Sequence, residues 1–376
     1  MHPAIRQLFQ QLAQLRKSAG RSPEQVEASL LLGPGWVERF ESGQYEPSLG
    51  MLAALIQLYG TDLPTFFAKL DLGKEALVPD RHLSASRAGH DLQLHFPMGS
   101  YAATVILPKA NLADLNAVVG KLRDELAAGR PREAIMLAFL EAVRKWPHAN
   151  PSDLWYFLIA HAYQDDYNHP ASEAGRDWGQ SWKRASGWAL EAVIVRHYES
   201  QLGKHGIRLE MPPPNRRIEL LRQMGIPNPA EMAEKADVIA IGMAAAGNEH
   251  PFGVVHIKAS FAERRTDDVP LSQQLIARGL ASPLVTMDCK ASPGPTPVNR
   301  GELGPTQGGN EAVSAKRYDI ERDNKFDACF SYNQSTKPTP AGQAAPARIY
   351  VLDLANPNDR FSQHLMARWR QRQGLA

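Results

Sequence analysis

Two short runs constrain this chain more than any other part of it. Residues 237–242 and 253–258 are almost wholly apolar, and each has one charge at an end: Asp237 opens the first and Lys258 closes the second. A short apolar run with little polar alternation predicts a strand covered on both faces. Charge in such a place is costly unless it is paired or binds a metal. Opposite charges at the ends of adjacent strands can share one site, so the two runs predict a buried sheet with a polar centre at its edge.

The surrounding pattern extends that sheet. Strand-like runs follow at 284–290, 325–332 and 349–354, and a helical segment between Pro270 and Leu280 separates the second run from the third. Upstream, 131–203 reads as mainly helical, and Pro212, Pro213 and Pro214 form a rigid connector. Residues 90–107 alternate on either side of Pro97, Met98, Gly99 and Ser100, which predicts a hairpin. Leu112, Leu115, Val118, Val119 and Leu122 mark an amphipathic helix over 111–126. Residues 292–309, rich in Pro and Gly and without periodicity, predict a long loop. The fold class expected is α/β (α+β), a mixed sheet flanked by helices. The divisions expected are an all-α unit over 1–73, a hairpin-helix connecting region over 74–130 and a main domain over 131–376.

Composition adds limits. With 43% hydrophobic and 22% charged residues, the 376-residue chain suits a globular protein. No long apolar run predicts a membrane span. Cys289 and Cys329 are too few for a disulfide framework or a cysteine-based zinc site, and a reducing cytoplasm is the expected compartment. A net charge of +2 neither requires nor excludes nucleic acid, because phosphates can be met by a local basic face.

The first 73 residues have their own logic. Ser22, Pro23 and Gln25 form a helix start with N-cap, first-turn proline and a glutamine three residues on. Gly33, Pro34 and Gly35 break the chain before a helix through Trp36, Val37 and Phe40, and another spans 48–59. Ser22, Glu24, Val26, Gly33, Val37, Phe40, Glu41, Ser42, Gly43, Pro47, Ser48 and Leu52 together resemble the Cro/repressor type of helix-turn-helix. The resemblance implies that the helix near 34–40 faces a DNA groove. That helix carries few base-reading donors, so an accessory role is equally compatible.

Asp237 and Lys258 have the chemistry that phosphodiester hydrolysis needs. A carboxylate can hold a divalent cation against a phosphate, and a lysine can neutralise charge developing at phosphorus. Mg²⁺ suits a few carboxylate oxygens completed by water and phosphate. With the run Lys258, Ala259, Ser260, Phe261, Ala262, Glu263, Arg264, Arg265, these residues resemble the P-D…(D/E)-x-K nucleases. Within them, the chain looks like the type II restriction endonucleases of the BsaWI-like, CCGG-core group. The likeness extends from the segment 181–188 to 326–333.

The resemblance implies a restriction-endonuclease-like core acting on double-stranded DNA as a homodimer. It makes Asp237, Lys258, Asp268 and Glu191 the catalytic set, with the three acids holding Mg²⁺. It makes Ser260, Glu263, Arg264 and Arg265 the recognition set. Two departures stand out: His256 replaces the usual acid two residues before the lysine, and Ala262 replaces a reading arginine. Asp268 is then the expected second acid, with Asp267 its competitor. Asp288 with Lys290 offers another Asp-x-Lys pair. A non-cutting DNA-binding regulator with an inactive nuclease body is the alternative function.

Overall fold

The structure is a computed structural model describing residues 3–42, 48–69, 84–165, 168, 178–244, 247–260, 267–289, 294, 296–306 and 312–374. The chain forms two compact units, 1–77 and 78–376.

Among the described residues, the first unit contains five helices: α1 (Pro3–Ser18), α2 (Pro23–Ser29), α3 (Trp36–Glu41), α4 (Leu49–Leu58) and α5 (Leu63–Lys69). Ser22 and Gln25 form the expected capping box at the start of α2. Phe9, Leu12, Val26, Val37, Phe40, Leu55 and Ile56 fill the core. Arg16 grips Glu41 with two hydrogen bonds, at 2.6 and 2.9 Å, tying α1 to the end of α3. Glu27 of α2 accepts from the amides of Gly35 and Val37 (3.2 and 2.9 Å), so its carboxylate occupies the amino end of α3. On α3, Glu38 and Arg39 are exposed, while Trp36 stacks on Phe40.

The second unit begins with an antiparallel sheet of β1 (Ser84–Ala88), β2 (Asp91–Met98) and β3 (Tyr101–Leu107). Next come α6 (Leu112–Ala127), α7 (Pro131–Lys145), α8 (Pro151–Phe157) continued by a π-helical turn over Leu158–Ala162, and α9 (Trp178–Gly203). Asn111 caps α6 in a capping box with Asp114. The segment set apart as a connector supplies Leu94, Val105, Leu115 and Val119 to the same core as α7 and α9.

The main sheet has the order β4-β5-β6-β7-β8-β9. Its strands are β4 (Ile207–Glu210), β5 (Val238–Met243), β6 (Glu249–Lys258), β7 (Leu284–Thr286), β8 (Cys329–Ser331) and β9 (Ile349–Val351). The first three pair antiparallel and the last three extend β6 in parallel. Between them lie α10 (Pro214–Gln223), α11 (Pro229–Met232), α12 (Val269–Ala277) and α13 (Ala315–Glu321), and α14 (Arg360–Arg372) closes the chain.

The apolar runs are explained by burial on both faces. Val238 and Ala240 of β5 join the larger core, while Ile239 and Ile241 join a second core with Leu220 and Leu221 of α10 and Leu271 and Leu275 of α12. Gly253 of β6 lies so close to Ala281 that a Cβ would collide with its backbone oxygen, so glycine permits the parallel approach. Among the described residues, no helix is long and apolar enough to cross a membrane.

Candidate active site

Antiparallel pairing of β5 with β6 brings the residue before β5 beside the last residue of β6. Asp237 Oδ2 accepts from the Ile257 amide at 3.1 Å and from Lys258 Nζ at 2.9 Å. Lys258 Nζ also lies 2.9 Å from Asp268 Oδ2, so one ammonium bridges two carboxylates. Asp268 is the N-cap of α12, but it makes no side-chain cap bond to that helix. An N-cap aspartate commonly accepts from the first-turn amides; this one is turned to Lys258. It is buried, whereas Asp267 is exposed, which distinguishes the two candidates geometrically.

The electrostatics follow from this crowding. Burial opposes the charge on Lys258, but Asp237 and Asp268 outweigh it and raise its pKa. Burial likewise opposes the charge on Asp268; the neighbouring His256 and Lys258 outweigh it and bring its pKa below the usual carboxylate value. Glu191 is half-buried on α9. Its pKa is pushed up to about 7 by burial and then by the charge of Asp237, against the pull of Lys258, Arg217 and Arg132. A glutamate on a helix well before β5 in the chain thus senses both strand-end charges.

 Its side chain therefore belongs to the electrostatic surroundings of Asp237 and Lys258.

Two of the acids, Asp237 and Asp268, converge closely enough to suit a divalent cation. Among the described residues, no three His, Cys, Asp or Glu side chains close around one point. Mg²⁺ does not require such a cage, because it retains waters and takes one or two carboxylates with substrate phosphate. Asp237 and Asp268 already share a cation, the Lys258 ammonium, through one oxygen each.

The other predicted residues fall differently. Ser260 Oγ donates to Glu302 Oε2 at 3.3 Å, and Glu302 also pairs with Lys316 at 2.9 Å. Glu263, Arg264 and Arg265 lie outside the described residues, as do Ala262 and Lys290. Asp288 is fully buried and accepts from the amides of Glu302 and Leu303 (2.7 and 3.2 Å) and from Thr336 Oγ1 (2.6 Å). Burial raises its pKa to about 6 despite these bonds. A Cβ on Gly301 would collide with this carboxylate, so Asp288 clamps a tight loop. Arg317 is fully buried and paired with Glu321 at 2.7 Å. Sequence reasoning missed Ser282 and Asp327, which stand behind His256. Their only sequence signal is a polar residue beside an apolar strand.

Both parts of the chain are similar to known proteins. Residues 7–65 match the helix-turn-helix domain family. The type II restriction enzyme AgeI of Thalassovita gelatinovora is 38% identical over 245 residues, which cover 63% of this chain and 84% of that enzyme. The chain belongs to the type II restriction endonucleases. The solved complex of AgeI with DNA aligns at a TM-score of 0.63 and 33% identity, covering 73% of this restriction endonuclease and 99% of AgeI. A BsaWI–DNA complex aligns at a TM-score of only 0.36 and 18% identity, over 70% of this chain and 96% of BsaWI. The family, the mixed-sheet fold and the N-terminal helix-turn-helix unit are those expected from the motifs.

Proposed function

We propose that this enzyme cuts double-stranded DNA with Mg²⁺ at a palindrome containing CCGG, acting as a homodimer in the cytoplasm. The observation that carries the catalytic reading is the Lys258 ammonium held between Asp237 and Asp268 at the ends of β5 and β6. In this reading Asp237, Asp268 and Glu191 hold the cation. When bound, it would supply Lewis-acid polarisation of the phosphoryl oxygen and activation of water. Lys258 donates to a phosphate oxygen and offsets the charge that grows there. Glu191, with its pKa near neutrality, is suited to exchange a proton with water at the site.

Recognition is assigned to Ser260, Glu263, Arg264 and Arg265, which follow Lys258 closely in the chain. The guanidinium of Arg264 suits guanine O6 and N7, and Glu263 can accept from cytosine N4. Together they favour adjacent G·C pairs. Two-fold symmetry would match a palindrome and provide one active site per strand. The unit over 1–73 is accessory, and the part that cuts includes the hairpin and helix over 84–127, which share its core. The alternative of a non-cutting regulator drew on His256 in place of an acid; Asp268 beside Lys258 offers an acid from another element and weakens that motive.

The test is Asp237→Ala. It should abolish cleavage of phage DNA in Mg²⁺ while DNA binding in Ca²⁺ stays measurable. Cleavage retained by this variant rejects the catalytic assignment.

A further inference from the structure

His256 stands where an acid was expected, in the buried stretch of β6. It is fully buried. Its ring is fixed along one edge and by one neighbouring ring: Nε2 hydrogen-bonds Ser282 Oγ at 3.1 Å, and Phe326 packs edge-on with centroids 5.3 Å apart. Ser282 is anchored in turn. Its hydroxyl donates to Ser272 Oγ of α12 at 2.7 Å, and its amide donates to Asp327 Oδ2 at 3.1 Å. That Asp327 oxygen also meets His364 at 3.2 Å and Arg368 at 3.1 Å, both on α14.

The other edge of the imidazole is the informative one. His256 Nδ1 is buried and has no hydrogen-bond partner among the described residues. It lies 3.6 Å from Asp268 Oδ2, the oxygen that also meets Lys258. Residues two apart on a strand point to the same face, so β6 directs His256 and Lys258 together at one carboxylate oxygen. A buried polar atom without a partner is costly and rarely retained without a reason.

We infer that His256 is a positioning residue: held by Ser282, it orients the Asp268 carboxylate beside Lys258 for cation binding. The inference rests on the cation-binding role proposed above for Asp237 and Asp268. It accounts for a histidine on β6 where the acid itself comes from the start of α12.

The experiment is a Mn²⁺ titration of the full chain, with the free ion followed by electron paramagnetic resonance. The parent and Asp237→Asn calibrate the site, and two amide variants test the histidine. An Asn amide reaches about as far as Nδ1, and a Gln amide about as far as Nε2. His256→Asn should therefore keep the contact with Asp268 and bind Mn²⁺ within about threefold of the parent. His256→Gln keeps the contact with Ser282 instead and should lose roughly 10–100-fold in affinity, the usual cost of removing a group that orients a ligand. Ser282→Ala, which leaves the imidazole in place but frees it, should weaken Mn²⁺ binding by a smaller factor and provides the same test if Gln impairs folding. Parent-like affinity in both His256→Gln and Ser282→Ala overturns the inference, as does weaker binding by Asn than by Gln. If the parent shows no Mn²⁺ site that Asp237→Asn removes, the cation-binding reading itself falls, and this inference with it.

Discussion

Glu191→Gln should make the cation-free enzyme more stable at pH 8 while lowering its cleavage activity. The folded chain holds the Glu191 carboxyl at a pKa of about 7, against an ordinary value of 4.5, through burial and the nearby charge of Asp237. Below pH 4.5 the group is protonated in both folded and unfolded chains and contributes no difference. Between 4.5 and 7 the folded chain binds the extra proton, so stability falls as pH rises. Above 7 the full penalty is present, at most about 3 kcal/mol from the displacement between the two pKa values. The side chain is only half-buried, and water will reduce that figure. Gln removes the charge and keeps the shape. The melting temperature of the variant should exceed that of the parent at pH 8 by at most about 6 °C, taking about 2 °C per kcal/mol for a large domain. At pH 4.5 the two should nearly coincide. Melting curves in chelator, read as variant minus parent at each pH, isolate Glu191 from every other titrating group. A difference that does not grow with pH, or a parent more stable than the variant at pH 8, refutes the reasoning.

Three further outcomes follow from the geometry. Asp268→Asn should lower the cleavage rate by more than about a hundredfold, whereas the exposed Asp267→Asn should stay within about twofold, as surface changes usually do; single-turnover rates on one plasmid compare them. Arg317→Met should destabilise the second unit by about 3–5 kcal/mol, because it strands the buried Glu321 carboxylate, and adding Glu321→Leu should recover much of the loss in denaturant unfolding. A chain beginning at Lys74 should cut the same target with lower affinity; fragment mapping that shows a different or shorter target would make the N-terminal unit a reader of sequence.

The parts of this fold that were readable from sequence are those whose burial is extreme. β5 and β6 announce themselves because both faces are covered, which removes the polar alternation of a half-exposed strand. The charges at their ends were conspicuous for the same reason. β1 has little apolar content and takes its place through pairing with β2, so nothing local marks it. β4 is short and has the exposed Arg208 along it, which hides it equally well. Asp268 was a candidate, but helical periodicity could not separate it from Asp267: it precedes the first turn of α12, where capping geometry rather than a helical face sets its direction. The support behind His256 depends on parallel pairing that brings Ser282 and Asp327 together from distant segments. No local pattern encodes such a meeting. Asp288 shows the converse: its spacing from Lys290 suggested catalysis, while its backbone, at φ +48°, and the three hydrogen bonds to its carboxylate serve a loop.

The central claim is that the carboxylates around Lys258 cut DNA at a target read by the residues that follow it. The most direct measurement is to incubate the full chain with phage DNA and Mg²⁺ and sequence the ends of any fragments, with Asp237→Ala alongside. The account predicts discrete fragments from the parent, none from the variant, and ends that define one palindrome with CCGG at its centre. Random ends, no cleavage, or a target without adjacent G·C pairs at its centre would contradict it.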